Sequence, residues 1–173
     1  PPFSPVHLPG ATPLGETLDA MADLVADGRV RHVGVSNFDV RLLDRARTRS
    51  EVPIFANQVQ FNPYWDQRNL LSYCRRHGVL VTAYSPLCHG GVLRDDALAA
   101  VGRRYDKTAA QVALRWVIQH EGVRTVPKAT TRDHLRANHD VFDFALTDAE
   151  MERIRRPSKG RALAGFVRSR LSG

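Results

Sequence analysis

Hydroxyl and carboxamide side chains stand together at the end of a short apolar segment, HVGVSNF, at residues 32–38. Val33 and Val35 alternate along this segment, which predicts a buried β-strand. Ser36 and Asn37 follow directly, where the strand is expected to end. Both side chains donate and accept hydrogen bonds, so together they could orient a polar ligand at the mouth of a strand.

Three further segments carry polar side chains at the corresponding place: Gln58 in IFANQVQ, Tyr84 and Ser85 in LVTAYSP, and Lys128 in RTVPK. Taken singly, each has an ordinary structural explanation as a turn residue, a core ring or a solvated charge. Carboxamides suit an amide-bearing ring, a tyrosine can stack on it, and a lysine before a helix suits a phosphate. Their recurrence at four strand ends predicts a site for a nicotinamide nucleotide.

Four β-branched segments alternate with amphipathic helices and predict the strands, at residues 29–36, 54–60, 78–85 and 122–129. Apolar residues at helical spacing lie around these segments. They are Leu18, Met21, Leu24 and Val25, then Leu42, Leu43 and Ala46, then Leu70, Leu71 and Tyr73, and then Val112, Ala113, Trp116 and Val117. The alternation predicts successive βα units.

Capping residues mark several of the predicted boundaries. Asp39 and Thr108 can begin helices, and Thr147 with Glu150 has the spacing of a capping box. Glycines that can adopt a positive φ lie between a helix and the next strand, at Gly28, Gly78 and Gly122. These signals agree with the βα alternation.

Four βα units predict an α/β fold whose strands are buried on both faces of a parallel sheet. Parallel sheets place their chemistry at the carboxyl ends of the strands. In a (β/α) barrel those ends converge on one face, so the four polar strand ends are expected to share one pocket.

Composition fits one globular core, with 173 residues of which 43% are hydrophobic and 25% charged. The net charge of +7 comes from 22 arginines and three lysines that are spread along helices beside acidic residues. This dispersed pattern argues against a specific nucleic-acid partner. Cys74 and Cys88 are too few for a disulfide scaffold or a structural zinc site, and we expect a reduced, cytoplasmic protein with no metal and no membrane partner.

Five motifs follow one another along the chain: GVSNF (34–38), NQVQFNPY (57–64), TAYSPL (82–87), VPKATTRDHLRAN (126–138) and VFDFALTDAEM (141–151). Together they resemble the C-terminal half of an aldo-keto reductase. The likeness extends from about Thr12 to Ile154, with the motifs in the family's order. The resemblance implies a (β/α)8 TIM barrel, here strands five to eight with their helices. It also implies NADPH-dependent reduction of an aldehyde or ketone to an alcohol by hydride transfer.

The resemblance also implies roles for individual residues. Ser36, Asn37 and Gln58 are expected to hold the nicotinamide carboxamide, while Tyr84 stacks on the ring. Ser85 and Leu87 are expected to lie along the pyrophosphate. Lys128 is expected to contact the 2′-phosphate or the pyrophosphate, and Asn138 the adenine.

Several positions depart from the family's pattern. Ala129 stands where many members have serine, and His134 stands at a position that often carries a phosphate-binding arginine. NADH is therefore a possible cofactor beside NADPH. Ala137 replaces a common acidic adenine contact, and residues 60–62 also differ from the usual ones, which we expect to tune affinity rather than chemistry.

The family's catalytic tyrosine, lysine and aspartate come from the first strands of its barrel. In this sequence no tyrosine precedes Tyr64 and no lysine precedes Lys107. We therefore expect residues 14–156 to form a nucleotide-binding half-barrel that is inactive alone. Residues 1–13 are expected to contain the end of strand four, with His7 as the catalytic histidine or as part of a disordered leader, and residues 157–173 to form a C-terminal loop or tail.

A half-barrel leaves sheet edges open, which predicts either an N-terminal half-barrel as partner or self-association. Two other functions remain open. One is a non-catalytic NADP(H)-binding half-barrel or half-barrel dimer, and the other is a regulatory subunit. A basic nucleic-acid binder is the least favoured alternative.

Overall fold

The computed structural model describes residues 12–155 of the chain. Its strands are β1 (Val33–Ser36), β2 (Ile54–Gln60), β3 (Leu80–Tyr84) and β4 (Val123–Thr125). Its helices are α1 (Leu14–Ala26), α2 (Val40–Arg49), α3 (Arg68–Arg76), α4 (Asp96–Gly102), α5 (Ala109–Ile118), α6 (Arg132–His139) and α7 (Asp148–Ile154), with a 3₁₀ segment at Cys88–Arg94.

The strands form one four-stranded parallel sheet in the order β1-β2-β3-β4, which confirms the predicted α/β class. β1 and β2 run parallel, with Val33 opposite Ile54 and Ser36 opposite Gln58. The expectation that both faces of each strand are buried is wrong. Buried and more exposed residues alternate instead, as along β3, and Phe55 of β2 is 42% exposed.

β2 covers the predicted range, whereas the other strands are shorter than predicted. β1 begins at Val33 because the amides of Arg29 and Val30 are still bonded to the carbonyl of Leu24 at the end of α1. β4 ends at Thr125, two residues before Pro127, which has no backbone N–H to continue the ladder.

The predicted caps are confirmed. Asp39 accepts a hydrogen bond from the amide of Leu42, and Thr108 and Thr147 each form a complete capping box. Gly28, Gly78 and Gly122 have φ values of 70°, 65° and 73°. Gly28 and Gly78 therefore end α1 and α3 in the left-handed region, as the sequence predicts, whereas Gly122 lies in the turn before β4, three residues after Gln119, the C-cap of α5.

Two elements were not predicted, the 3₁₀ segment and α4. His89 and Gly90 adopt positive φ within the 3₁₀ segment, which interrupts any helical spacing of its apolar residues. Asp95 begins α4 by accepting hydrogen bonds from the amides of Ala97 and Leu98. The helix is only seven residues long, so periodicity gives a weak signal for it.

The described chain divides into two compact units. Unit 1 comprises residues 12–59 and 68–82, and its helices α1, α2 and α3 pack in sequence order. Within it, Tyr73 of α3 donates a hydrogen bond to Asp44 and accepts one from Arg47, both on α2. Burial and the bond to Asp44 raise the pKa of the Tyr73 phenol, so the hydroxyl stays protonated and ties the two helices together.

Unit 2 comprises residues 60–67 and 83–155, and α5 is its central helix. Trp116 of α5 is fully buried beside Phe61, with ring centroids 5.1 Å apart, and its indole N–H donates to the carbonyl of Met151. His120 packs on the same two rings, and its burial lowers its pKa.

Within the described residues, no helix has the length and apolar character needed to cross a bilayer.

Glu150, 3% exposed, joins the start of α7 to the turn that follows α4 in unit 2. Its carboxylate accepts hydrogen bonds from Arg104 at 2.7 Å and Tyr105 at 2.6 Å, and from both the amide and hydroxyl of Thr147. Burial alone raises the pKa of this carboxyl, but the hydrogen bonds from Tyr105 and Thr147 and the charge of Arg104 outweigh it and hold the pKa below its ordinary value of 4.5. The ionised form therefore stabilises the fold.

We predict that Glu150→Gln lowers the free energy of unfolding at pH 7 by about 1–3 kcal/mol, because one buried acceptor and the charge are lost. A depressed pKa contributes stability above the unfolded value, so the deficit should shrink as pH falls through 4.5 and below. Urea unfolding across this pH range measures both effects. The control is Glu152→Gln, whose exposed pair with Arg155 should contribute about 0–1 kcal/mol. A pH-independent deficit at Glu150 would contradict the prediction.

Candidate functional site

The first group of predicted site residues lies at the carboxyl ends of β1 and β2 in unit 1. The amide of Asn37 donates to the carbonyl of Gln58 at 2.8 Å, and the hydroxyl of Ser36 donates to the same carbonyl at 3.1 Å. Asn37 has a φ of 59°, so the chain turns sharply as β1 ends. The side chains of Ser36, Asn37 and Gln58 are all exposed, and this structure brings the three residues together as predicted.

Asn57, which precedes Gln58 in β2, holds this turn from within unit 1. Its side chain is fully buried and bonds to both polar groups of the Phe38 backbone. Nδ2 donates to the Phe38 carbonyl at 2.8 Å, and Oδ1 accepts from the Phe38 amide at 3.4 Å. The carboxamide thereby continues the β1–β2 ladder for one residue beyond the point where the main chain leaves it.

The second group begins at the end of β3 in unit 2. Ser85 has a φ of 50°, and its carbonyl accepts hydrogen bonds from the Cys88 amide at 3.1 Å and from Nδ2 of Asn62 at 3.0 Å. Asn62 is also fully buried, and its Oδ1 accepts from the amide of Tyr64 at 3.1 Å. A second strand end therefore turns through a left-handed residue that is held by a buried asparagine.

The end of β4 adjoins the end of β3 within unit 2. The Val126 amide and the Thr125 hydroxyl both donate to the Ala83 carbonyl, at 3.2 Å each. Lys128 follows two residues after Val126 and is exposed. It precedes α6, whose first turn is capped by Thr131 through a bond from the His134 amide. A cation and a capped helix N-terminus are thus near each other in sequence, and each of these groups favours a phosphate.

Asn138 lies near the end of α6 and lines a cavity of about 590 Å³ in unit 2. Thr125 and Pro127 line the same cavity, and the aromatic ring of Phe142 stands beside that of His139 with centroids 5.7 Å apart. His134, at the other end of α6, is exposed. The described geometry therefore groups Asn138 with the segment after β4.

The two cysteines are not suited to nucleophilic chemistry. Burial raises the pKa of the Cys74 thiol to about 11 and that of Cys88 to about 12, so both remain protonated near neutral pH. Among the residues that the structure describes, no group of three or more His, Cys, Asp or Glu side chains is arranged to hold a metal ion.

His7 and the segments 1–11 and 156–173 lie outside the described residues, so the expected roles of His7 and of the tail remain predictions. Phe61 is one of the residues 60–62 that were expected to tune affinity, and it is fully buried in the core of unit 2. Sequence reasoning missed Asn57, although a polar residue at a buried position of an alternating strand is a signal that could have suggested it. Asn62 was expected only to tune affinity, and its burial was not foreseen.

A family model for aldo/keto reductases matches residues 6–158, most of the chain. The chain belongs to the aldo/keto reductase family. It is 38% identical over 149 residues to glyoxal reductase of Bacillus subtilis (strain 168), an alignment that covers 86% of this chain and 54% of that protein. It is 34% identical over 163 residues to a 9,11-endoperoxide prostaglandin H2 reductase of Trypanosoma cruzi (strain CL Brener), covering 92% and 57%.

Solved structures agree with the family assignment. A thermostable aldo-keto reductase in complex with the inhibitor epalrestat superposes with a TM-score of 0.79 and 35% identity, covering 85% of this chain and 56% of that one. An aldo-keto reductase complexed with NADPH gives a TM-score of 0.80 and 30% identity, covering 86% and 48%. The predicted (β/α)8 barrel type is therefore confirmed, and this chain covers part of such a barrel.

The chain spans about half the length of the curated relatives that it matches. The shared portion includes the strand ends described above, because the family match extends from residue 6 to residue 158.

We predict that Ser85→Val lowers the free energy of unfolding by about 1–2 kcal/mol, because a β-branched residue is strained at positive φ. Ser85→Gly at the same position should be neutral to within about 1 kcal/mol, since glycine adopts this conformation freely. Urea unfolding of the two variants measures the difference. Equal stability of the valine and glycine variants would show that the left-handed turn is not maintained in solution.

Proposed function

We propose that this chain carries nicotinamide-nucleotide-binding residues of an aldo/keto reductase, with NADPH as cofactor. The reaction is reduction of a small aldehyde or ketone to the alcohol. Membership of the family supports the reaction class, and a structural relative that is complexed with NADPH supports the cofactor.

One observation carries the proposal: Ser36, Asn37 and Gln58 come together at the carboxyl ends of two parallel strands in unit 1. Ligands of parallel α/β sheets bind at this end of the strands. A hydroxyl and two carboxamides supply donors and acceptors without charge, which is the chemistry that a neutral carboxamide requires.

The hydrogen bonds of unit 1 indicate whether the Ser36 hydroxyl would donate or accept a hydrogen bond with a ligand. Its hydroxyl proton is already donated to the Gln58 carbonyl at 3.1 Å, which leaves oxygen lone pairs available. Ser36 is therefore suited to accept a hydrogen bond from the NH₂ of a nicotinamide carboxamide. Asn37 and Gln58 each offer a donor as well as an acceptor, so they can complete the recognition of the amide.

The residues of unit 2 fit the remaining chemical groups. Tyr84, at the end of β3, offers a ring for stacking. Ser85 and Leu87 follow it, and Lys128 precedes the capped N-terminus of α6, where a phosphate is favoured. Asn138 offers a carboxamide for the adenine. With His134 in place of a fork of arginine donors, we infer that NADH also binds, more weakly than NADPH.

The bound cofactor would supply a hydride from its nicotinamide ring. The described residues of this chain would hold the carboxamide and phosphates and present one face of the ring. The family's proton-donating tyrosine has no counterpart before Tyr64 in this sequence, so we propose that the 173-residue chain alone binds cofactor without turnover. His7 remains our candidate for orienting the substrate carbonyl in the whole enzyme.

We predict saturable NADPH binding by the 173-residue chain in a tryptophan-fluorescence titration. Lys128→Ala and Tyr84→Ala should each weaken binding by about tenfold, a loss of about 1.4 kcal/mol, since one removes a phosphate contact and the other a stacked ring. Tyr84→Phe, which keeps the ring, should bind nearly as wild type.

The charge control is Arg31→Ala, because Arg31 is exposed and lies before the amino end of β1. Its removal lowers the net charge as much as Lys128→Ala does. Equal weakening by Lys128→Ala and Arg31→Ala would show that NADPH is attracted only by the general positive charge of the chain. Absence of saturable binding by a folded chain would contradict the proposed function.

A further inference from the structure

Five polar or charged residues are buried in the described part of the chain: Asn57, Asn62, Asp95, Gln111 and Glu150. The last three all serve helix N-termini. Asp95 is the N-cap of α4, and Gln111 and Glu150 complete the capping boxes of α5 and α7. Neither buried asparagine caps a helix, so burial of their carboxamides calls for a different explanation.

Both asparagines hold the main chain beside a left-handed residue. Asn57 donates to and accepts from the Phe38 backbone, and Phe38 follows Asn37, whose φ is 59°. Asn62 donates to the carbonyl of Ser85, whose own φ is 50°. The same arrangement thus occurs once in unit 1 and once in unit 2.

A left-handed residue other than glycine is disfavoured, by on the order of 1–2 kcal/mol for a residue such as Ser85 and by less for an asparagine such as Asn37, so surrounding contacts help to maintain it. A carboxamide carries a donor and an acceptor in one plane, as a peptide group does. Asn57 therefore provides the hydrogen bonds of a neighbouring strand where β2 itself cannot follow the turn. An apolar residue of similar size could fill the same space, but it would leave the Phe38 backbone groups without these bonds.

We propose that Asn57 and Asn62 are positioning residues for nucleotide binding. Asn57 fixes the turn that sets the direction of the Ser36 and Asn37 side chains. Asn62 fixes the turn that follows Tyr84. Neither asparagine side chain is exposed, so neither is expected to touch the cofactor. The inference rests on the proposed function for its purpose, whereas the restraint on the two turns can be measured without cofactor.

The test uses Asn57→Ala and Asn62→Ala, with Gln111→Ala as the matched control. Gln111 is also a buried carboxamide, and its bonds run to Thr108 and Asp140, neither of which belongs to the two turns. Each variant is compared with the wild-type chain in three measurements: urea unfolding, NADPH titration, and amide hydrogen exchange by NMR.

We expect Asn57→Ala to raise the Kd for NADPH by about tenfold and to accelerate exchange of the Asn37 and Phe38 amides by about tenfold or more over the rest of β1. Asn62→Ala should weaken NADPH binding and selectively accelerate exchange of the Cys88 amide, which is bonded to Ser85. Gln111→Ala should lose comparable unfolding stability while its Kd stays within about twofold of wild type.

The proposal is overturned if all three variants raise the Kd for NADPH in the same proportion to their loss of unfolding stability. It is also overturned if the amides at the two turns exchange no faster than amides elsewhere in the chain. Failure of the wild-type chain to bind NADPH would instead refute the proposed function. In that case selective exchange still decides whether the asparagines restrain the turns. If Asn57→Ala does not fold, Asn57→Ser, which keeps a small polar group, is judged by the same measurements.

Discussion

Hydrogen bonds from two buried carboxamides are the constraint on which the candidate site depends. A polar group that is removed from water needs hydrogen-bond partners within the protein. Asn57 and Asn62 are fully buried, and both form hydrogen bonds with backbone groups. The Phe38 groups and the Ser85 carbonyl belong to turns that pass through positive φ at Asn37 and Ser85. The sharp turns end the strands while the side chains of the site remain at the strand mouths.

The surrounding structure makes those turns possible. In unit 1, Ser36 lies opposite Gln58, and the Gln58 carbonyl receives both the Ser36 hydroxyl and the Asn37 amide. In unit 2, β3 and β4 meet at the Ala83 carbonyl, and capped helices anchor the segments that follow. The polar side chains of the candidate site are thus held at strand ends that ladders, caps and buried amides make rigid.

Much of this arrangement could be predicted because its signals are local. The alternation of Ile54–Gln60, the cap at Asp39 and the capping box at Thr147 each involve residues that are near in sequence. The start of β1 was predicted too early because backbone bonds to α1 extend beyond Gly28. The bonds from Asn57 to Phe38 and from Asn62 to Ser85 were not predicted because these partners lie 19 and 23 residues away, and they meet only in the folded chain.

The most direct test of nucleotide binding at these strand ends is a ¹⁵N NMR titration of the chain with NADPH. If NADPH binds at these strand ends, saturable shift changes are expected at Ser36 to Phe38, Tyr84 to Cys88 and Lys128 to His134, with the amino ends of the strands little affected. Shift changes confined to the amino ends, or spread over exposed arginines in proportion to their charge, would contradict binding at these strand ends.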